Sequence, residues 1–229
     1  MGYGSIDDVM KHGLVALSVA DFKNAWKATD ALVIDTRNKD VFPMDFIPGS
    51  IFIGIDDTFA PWVGTLIPDL QQAILFLADE GKEEEVVIRL ARVGYDNCIG
   101  YLKGGIEAWM EEGNETDSIQ ECTPEKFAQY FAEQEGLHLL DVRRQSEFES
   151  QHVIGAESFP LDFINRNMNK LDKNLTYYVH CAGGYRSIIA CSILKARGFE
   201  NLVNIKGGFN ALKATNLPMT QYHAPVTML

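Results

Sequence analysis

The sequence has little that would bind a membrane, a nucleic acid or a metal. No apolar run approaches the ~20 residues of a membrane-spanning helix, and the acidic N-terminus lacks the apolar core of a signal peptide. Lysine and arginine number 20 against 32 acidic residues, and the net charge of −12 argues against a nucleic-acid or anionic-membrane partner. The 4 cysteines include no CxxC pair, which argues against a zinc site and a disulfide scaffold. These absences predict a cytoplasmic protein without a bound metal.

The most useful feature that is present is an internal repeat. Residues 31–37 and 137–143 are the same short apolar strand, ending in Asp-x-Arg. Further matching pairs follow in the same order: Phe46–Ser50 with His152–Ala156, Gly94–Asn97 with Gly198–Asn201, and Lys103–Gly105 with Lys206–Gly208. A repeat of this length indicates two copies of one domain. We place them at residues 1–115 and 116–229, because the polar, Gly-containing stretch 112–116 suits a linker.

Helix and strand patterns alternate within each copy. Ser18 begins a capping-box pattern and Thr123 precedes a proline, so each copy is expected to open with a capped helix. Later helical patterns, at residues 86–92 and 187–197, each lie between two apolar strands. This alternation predicts an α/β fold with two tandem domains, each a parallel central sheet flanked by helices. In such sheets ligands bind beyond the carboxyl ends of the strands.

One loop at such a strand end has the composition of an anion site. The apolar strand Tyr177–His180 is followed by Cys181, Ala182, Gly183, Gly184, Tyr185, Arg186 and Ser187. The small residues let backbone N–H groups converge on the sulfur, and a helix expected to begin near Ser187 adds its positive N-terminal end. Arg186 adds a full charge close by. These groups should stabilise a thiolate over a thiol, so Cys181 is the candidate nucleophile.

The other reactive groups have structural interpretations. Three further cysteines lie in segments typical of inert buried thiols: Cys98, Cys122 and Cys191. His180 adjoins the nucleophile, but successive residues of an extended strand point to opposite faces. We therefore do not expect His180 to act as the general base.

An Asp-x-Arg motif ends the preceding strand of both copies. Asp141 and Arg143 recur as Asp35 and Arg37 in a copy that has no cysteine loop. The recurrence favours a structural ion pair over a catalytic role. Glu147 is a candidate partner for Arg143, although the first copy has a valine at the matching position.

The second copy resembles the rhodanese homology domain over nearly its whole length. The matching segments follow the order of that family: Leu140–Arg143, Glu147–Phe148, His152–Ala156, Pro160–Leu161, Val179–Cys181 with its loop, and Asn204–Gly208. The resemblance implies a sulfurtransferase in which Cys181 attacks the outer sulfur of a donor and carries it as a persulfide. A thiol or cyanide would accept that sulfur, and residues 182–187 would bind the persulfide. No cofactor beyond this covalent persulfide is expected.

The length of the loop separates related chemistries. Cys181 and Arg186 form Cys-x4-Arg, as in sulfurtransferases of this fold, whereas the related cell-cycle phosphatases and arsenate reductases carry Cys-x5-Arg. A phosphatase-like hydrolase is therefore the less favoured function. With Arg186 as the only loop charge, thiosulfate and a low-molecular-weight persulfide both remain candidate donors. A non-turnover sulfur carrier, or a persulfide sensor acting with a partner protein, is the alternative function.

The first copy lacks the nucleophile. Alignment from the flanking glycines places Leu77 or Ala78 opposite Cys181, and the acidic residues that follow are expected to favour a helix N-terminus. The stretch 57–64, which has no counterpart in the second copy, is expected to pack as local core. A degenerate copy before an active one also resembles the C-terminal part of fusions with a metallo-β-lactamase-fold persulfide dioxygenase. That resemblance implies such an enzyme, fused or separate, as a partner, and a structural or docking role for the first copy.

Overall fold

The computed structural model describes residues 6–56 and 58–224 of the chain. Contacts divide the chain into two compact units, Met1–Ser118 and Ile119–Leu229, called the first and second unit below. The division falls slightly after the boundary predicted between residues 115 and 116. Within the described ranges, no helix is both long enough and apolar enough to cross a membrane.

The first unit is built on a parallel sheet. Its strands are β1 (Ala16–Leu17), β2 (Leu32–Asp35), β3 (Ile51–Phe52), β4 (Ile74–Leu77) and β5 (Cys98–Leu102). Its helices are α1 (Ile6–Gly13), α2 (Val19–Thr29), α3 (Phe59–Leu66), α4 (Glu83–Ala91) and α5 (Gly105–Glu111). The spatial order is β1-β5-β4-β2-β3, and each neighbouring pair is parallel.

The second unit repeats this plan. Its strands are β6 (Gln120–Cys122), β7 (His138–Asp141), β8 (Ala156–Ser158), β9 (Tyr177–His180) and β10 (Leu202–Ile205). Its helices are α6 (Pro124–Glu133), α7 (Gln145–Ser150), α8 (Ile164–Asn167), α9 (Tyr185–Ala196) and α10 (Gly208–Leu212). The order β6-β10-β9-β7-β8, again parallel throughout, matches the first unit strand for strand. The tandem α/β prediction is confirmed.

The capped helix that the sequence predicts is present in each unit, although in the first unit α1 (Ile6–Gly13) precedes it. The Ser18 hydroxyl accepts a hydrogen bond from the Asp21 backbone N–H at 3.2 Å, at the start of α2. Thr123 does the same for the Lys126 N–H at 3.2 Å, with a proline in the first turn of α6. Each cap satisfies one backbone donor that the helix leaves unpaired. The caps therefore define where α2 and α6 begin.

Helices cover both faces of each sheet. In the first unit, α2 and α5 pack on one face through Phe22, Ile106 and Trp109, while α1 and α3 pack against α4. In the second unit, Phe127 of α6 and Phe209 of α10 share a core cluster, and α9 packs on β9 and β10. Burial on both faces explains why the central strand β4 is apolar and buried at every position, without alternation.

The aromatic stretch that only the first unit contains belongs to its core. Phe59, Trp62 and Val63 of α3 are buried, which confirms the expected local packing. Residue 57, where that stretch begins, lies outside the described residues.

A buried ion pair closes the end of β2. Arg37 donates to both carboxylate oxygens of Asp35, at 2.8–3.0 Å, and to the backbone oxygen of Asp45 at 2.7 Å. Asp35 is fully buried and Arg37 nearly so. Desolvation raises the pKa of the Asp35 carboxyl, against the lowering effect of Arg37. A pair placed this deeply stabilises the fold only while both members are present.

We expect Asp35→Ala to destabilise the first unit by about 3–5 kcal/mol, because it leaves the buried Arg37 charge without a partner. All 3 tryptophans, at positions 26, 62 and 109, lie in this unit, so tryptophan fluorescence during urea denaturation reports its unfolding. Asp40→Ala is the control, since Asp40 pairs with Lys39 on the exposed surface and should cost less than ~1 kcal/mol. Equal effects of the two variants would contradict the structural role of the buried pair.

Candidate active site

Cys181 lies directly after β9, at the carboxyl edge of the second sheet. Its sulfur accepts a hydrogen bond from the Gly184 backbone N–H at 3.1 Å, and the side chain is buried. Residues 181–184 form the loop between β9 and α9, and Gly183 borders open space. A Cys Sγ that accepts from an amide beside a helix N-terminus is held where negative charge on sulfur is stabilised.

Helix α9 begins two residues before the predicted start, at Tyr185. Gly184, the last residue of the loop, has a φ of 106°. This left-handed conformation turns the chain from the loop directly into the helix. Tyr185, Arg186 and Ser187 therefore form the first turn of α9 rather than part of the loop. The Ser187 hydroxyl is buried and donates to the Gly184 carbonyl at 3.0 Å, which ties that turn to the loop.

The N-terminus of α10 holds the other side of the loop. The Phe209 N–H donates to the Cys181 carbonyl at 2.6 Å, and the Asn210 N–H donates to the Ala182 carbonyl at 3.1 Å. Gly208 makes this approach feasible, because a Cβ there would lie 2.4 Å from the Cys181 carbonyl oxygen. The Gly207-Gly208 pair was visible in the sequence as part of the repeat, but its contact with the cysteine loop was not.

A second buried ion pair lies beside α10. Arg143 donates to both oxygens of Asp141, at 2.5–3.0 Å, and its guanidinium stacks over the Phe209 ring with 3.8 Å to the centroid. Arg143 also donates to the Gln151 carbonyl at 2.8 Å. The geometry repeats that of Asp35 and Arg37 almost bond for bond. The pair therefore connects the end of β7 to α10.

The sequence suggested that Glu147 pairs with Arg143, but in the structure it pairs with Arg186. Its two oxygens accept from the two terminal nitrogens of Arg186, at 2.6 and 2.9 Å. Arg143 donates instead to Asp141, whereas α7 places Glu147 opposite the first turn of α9. Sequence reasoning missed this long-range pair, since it placed the start of α9 near Ser187 and Arg186 in the loop before the helix.

His180 is a packed residue of the site rather than a base. Its ring is fully buried and stacks on Phe209, and Nδ1 lies 3.2 Å from the Cys181 carbonyl oxygen. Nε2 lies 3.8 Å from Asp141, beyond hydrogen-bond distance. Burial lowers the pKa of His180, so the imidazole is neutral near pH 7.

The other three cysteines are unpaired and buried. Burial raises the pKa of Cys98 to about 12 and that of Cys122 to about 11, and it raises the pKa of Cys191 further. These groups remain thiols at neutral pH and are poor nucleophiles.

The first unit has a cleft where the second has its cysteine. Strand pairing matches Leu77 with Asp35 as it matches His180 with Asp141, so Ala78 stands opposite Cys181 and resolves the alignment in favour of the second register. The cleft, about 590 Å³, is lined by Arg37, Ala78, Asp79, Glu80, Glu83, Tyr101, Leu102, Lys103, Gly104, Gly105 and Glu107. As predicted, three consecutive glutamates from Glu83 occupy the first turn of α4.

Comparison with known families agrees with this geometry. The family model of the rhodanese-like domain matches residues 18–112 and, a second time, residues 123–215. The chain belongs to the rhodanese-like family. Its two units are tandem rhodanese-like domains, of which the second carries the loop cysteine.

Individual relatives match parts of the chain. "Putative sulfur carrier protein YrkF" of Bacillus subtilis is 35% identical over 108 residues, which cover 47% of this chain and 57% of that protein. A protein named "Sulfurtransferase" from Allochromatium vinosum is 28% identical over 101 residues, which cover 44% of this chain and 94% of that protein. The chain thus spans little more than half the length of YrkF.

Two solved structures are also similar to parts of this chain. A rhodanese-like domain protein from Staphylococcus aureus is 30% identical, covers 45% of this chain and 100% of that one, and has a TM-score of 0.41. A thiosulfate sulfurtransferase from Pseudomonas aeruginosa is 19% identical, covers 92% of this chain and 44% of that one, and has a TM-score of 0.40.

Gly208→Ala should destabilise the second rhodanese-like unit, since the new Cβ would overlap the Cys181 and Ala182 carbonyls. Gly105→Ala is the matched control in the first unit: φ is +61° there and +57° at Gly208, but its Cβ would meet only the flexible Glu107 carboxylate. Both variants place an alanine in the left-handed conformation. Gly208→Ala should therefore lower the free energy of unfolding by about 1–3 kcal/mol more than Gly105→Ala, because of the additional overlap. Circular dichroism during urea denaturation, with tryptophan fluorescence to separate the first unit, measures the difference. Equal losses would contradict close packing of α10 on the loop.

The stability of the second unit should fall as the pH drops below ~6.5, the reference value for histidine. The pKa of His180 is lowered in the folded state, so the unfolded chain binds this proton more tightly and stability rises with pH. The slope from this group is at most about 1.4 kcal/mol per pH unit. Urea denaturation at pH 7.5 and 5.5 should show a smaller difference for His180→Asn than for the wild type. His12→Asn, at an exposed position, should retain the wild-type difference; identical behaviour of both variants would contradict the assignment.

Proposed function

We propose that the chain is a sulfurtransferase in which Cys181 alone carries the transferred sulfur. The observation that supports this best is the Gly184 N–H donated to the Cys181 sulfur at the N-terminus of α9. That environment favours negative charge on sulfur, and it serves equally a thiolate and a terminal persulfide. The rhodanese-like family and the sulfurtransferase names of its relatives point the same way.

In the first step, the Cys181 thiolate attacks the outer sulfur of the donor. A sulfur–sulfur bond to Cys181 forms while the bond between the outer sulfur and the rest of the donor breaks. The leaving group takes that electron pair: sulfite departs from thiosulfate, and a thiolate departs from an organic persulfide. No external oxidant or reductant is needed, since the sulfane sulfur moves at constant oxidation level.

In the second step, the acceptor attacks the outer sulfur of the Cys181 persulfide. Cyanide would leave as thiocyanate and a small thiol as a new persulfide, and in each case Cys181 regains its electron pair as a thiolate. The loop residues Ala182, Gly183 and Gly184 add little side-chain bulk beside the added sulfur. The first turn of α9, Tyr185 to Ser187, supplies its positive end.

A non-turnover sulfur carrier is the second candidate function. It is favoured by the similarity to YrkF, whose name describes a sulfur carrier, and by the burial of Cys181, whose exposed fraction is 1%. Under this proposal the acceptor is a partner protein. A persulfide dioxygenase, fused or separate, is a further candidate partner. The first unit would then serve as a scaffold or docking domain, and four unpaired thiols favour a reducing cytoplasm.

Incubation with thiosulfate or glutathione persulfide should add one sulfur atom to the protein, measured as the mass of the intact chain. Cys181→Ser should abolish the gain, while Cys191→Ser, which removes a buried thiol of the adjoining helix, should retain it. Turnover with cyanide as acceptor distinguishes the enzyme from the carrier. An unchanged mass with both donors, or a sulfur gain that survives in Cys181→Ser, would contradict both functions.

A further inference from the structure

The only charge in the first turn of α9 is neutralised by a carboxylate from another helix. Arg186 and Glu147 are joined by two hydrogen bonds, at 2.6 and 2.9 Å, in the two-pronged geometry that fixes both groups. The pair is partly buried, with side-chain exposures of 16% for Arg186 and 33% for Glu147. A third contact, from the Arg144 backbone N–H at 3.1 Å, fixes the carboxylate on α7. Arg186 therefore presents little net charge to the loop.

Two other basic side chains packed beside the loop, Arg143 and His180, add no uncompensated positive charge to it. Arg143 is neutralised by Asp141 through three side-chain contacts. His180 is held neutral by burial. Attraction of an anion by the Cys181 site thus comes chiefly from backbone N–H groups and the end of α9, which carry partial charges only.

The two classes of sulfur donor differ in how much charge must approach this site. Thiosulfate is a compact dianion, whose sulfonate charge lies one bond from the sulfur that is transferred. An organic persulfide carries at most one charge on its outer sulfur, and its other charges lie many bonds away. Because unit charges a few ångströms apart interact strongly near a protein surface, a site whose loop arginine is already paired attracts the dianion less than one with a free arginine would.

We infer that Glu147 is a specificity-determining residue, which selects organic persulfides over thiosulfate by neutralising Arg186. The inference rests on the proposed sulfurtransferase function and names the donor class of the same site. In the reaction, the Cys181 thiolate bonds to the outer sulfur of R–S–SH, the S–S bond of the donor breaks, and R–S⁻ leaves with the electron pair of that bond. The proton stays on the transferred sulfur.

The comparison between units supports a functional origin for the pair. In the first unit, Val41 occupies the position of Glu147, and the alignment that places Ala78 opposite Cys181 places Glu83 opposite Arg186. That unit keeps the same strand order without either member of the pair. The fold therefore does not need this ion pair.

Glu147→Gln is the direct test. Glutamine keeps an oxygen for the Arg144 N–H but removes the charge, so Arg186 becomes a free cation beside the loop. The second-order rate constants for sulfur loading by thiosulfate and by glutathione persulfide would be measured from the mass of the intact protein. We expect their ratio to shift toward thiosulfate by about tenfold, equivalent to about 1.4 kcal/mol. The readout is the change in the ratio, because the two donors differ in intrinsic reactivity.

Glu149→Gln is the matched control, since it removes the same charge from an exposed position of the same helix. Arg186→Gln, which leaves the Glu147 carboxylate unpaired, should shift the ratio away from thiosulfate, and it carries the test should Glu147→Gln fail to fold. The double variant should return to the wild-type ratio. A Glu147→Gln ratio no different from that of Glu149→Gln would overturn the inference while leaving sulfur transfer intact. Failure of both donors to load the wild type would instead overturn the proposed function, and the inference with it.

Discussion

The hydrogen bond from the Phe209 N–H to the Cys181 carbonyl is the contact on which the geometry of the reactive loop depends. It directs that carbonyl toward α10, and the Asn210 N–H does the same for Ala182. In a trans peptide the C=O and the following N–H point in opposite directions. Anchoring these two carbonyls on α10 therefore turns the next N–H groups away from it. A loop held in this way has its donors set in advance, and need not reorganise when charge forms on sulfur.

The side chain of Phe209 also contacts residues of the site, in addition to the backbone hydrogen bond. The Arg143 guanidinium lies over the Phe209 ring, with its Cζ 3.8 Å from the ring centroid. The His180 ring is nearly parallel to the Phe209 ring, and the two ring centroids are 6.1 Å apart. Arg143 is in turn fixed by Asp141 at the end of β7. Two strand ends and one helix N-terminus are thus joined through a single aromatic residue. The buried charges contribute little net stability, since their desolvation offsets their attraction, but they define one geometry.

The sequence was sufficient to predict the parts of the fold that have local signals. The Ser18 and Thr123 caps, the strands ending in Asp-x-Arg and the duplicated plan all have such signals, and all occur in the structure. The start of α9 was misplaced because it depends on the left-handed φ of Gly184, which composition does not reveal. The pairing of Glu147 with Arg186 joins residues 39 positions apart, and no periodicity connects them. The contact of α10 with the cysteine loop is made by backbone groups. The Gly-Gly pair was therefore the sequence signal that could have indicated it.

Comparison of the two units distinguishes the residues that both share from those found only in the unit with the cysteine. The Asp-x-Arg pair and the Gly-Gly turn occur in both, including the unit with Ala78 in place of the cysteine. These features therefore belong to the fold and do not by themselves indicate activity. The thiol, Arg186 and Glu147 occur together in one unit, and all three are replaced in the other. This joint occurrence is the pattern expected if, as proposed above, the ion pair sets the charge that a donor meets as it approaches Cys181.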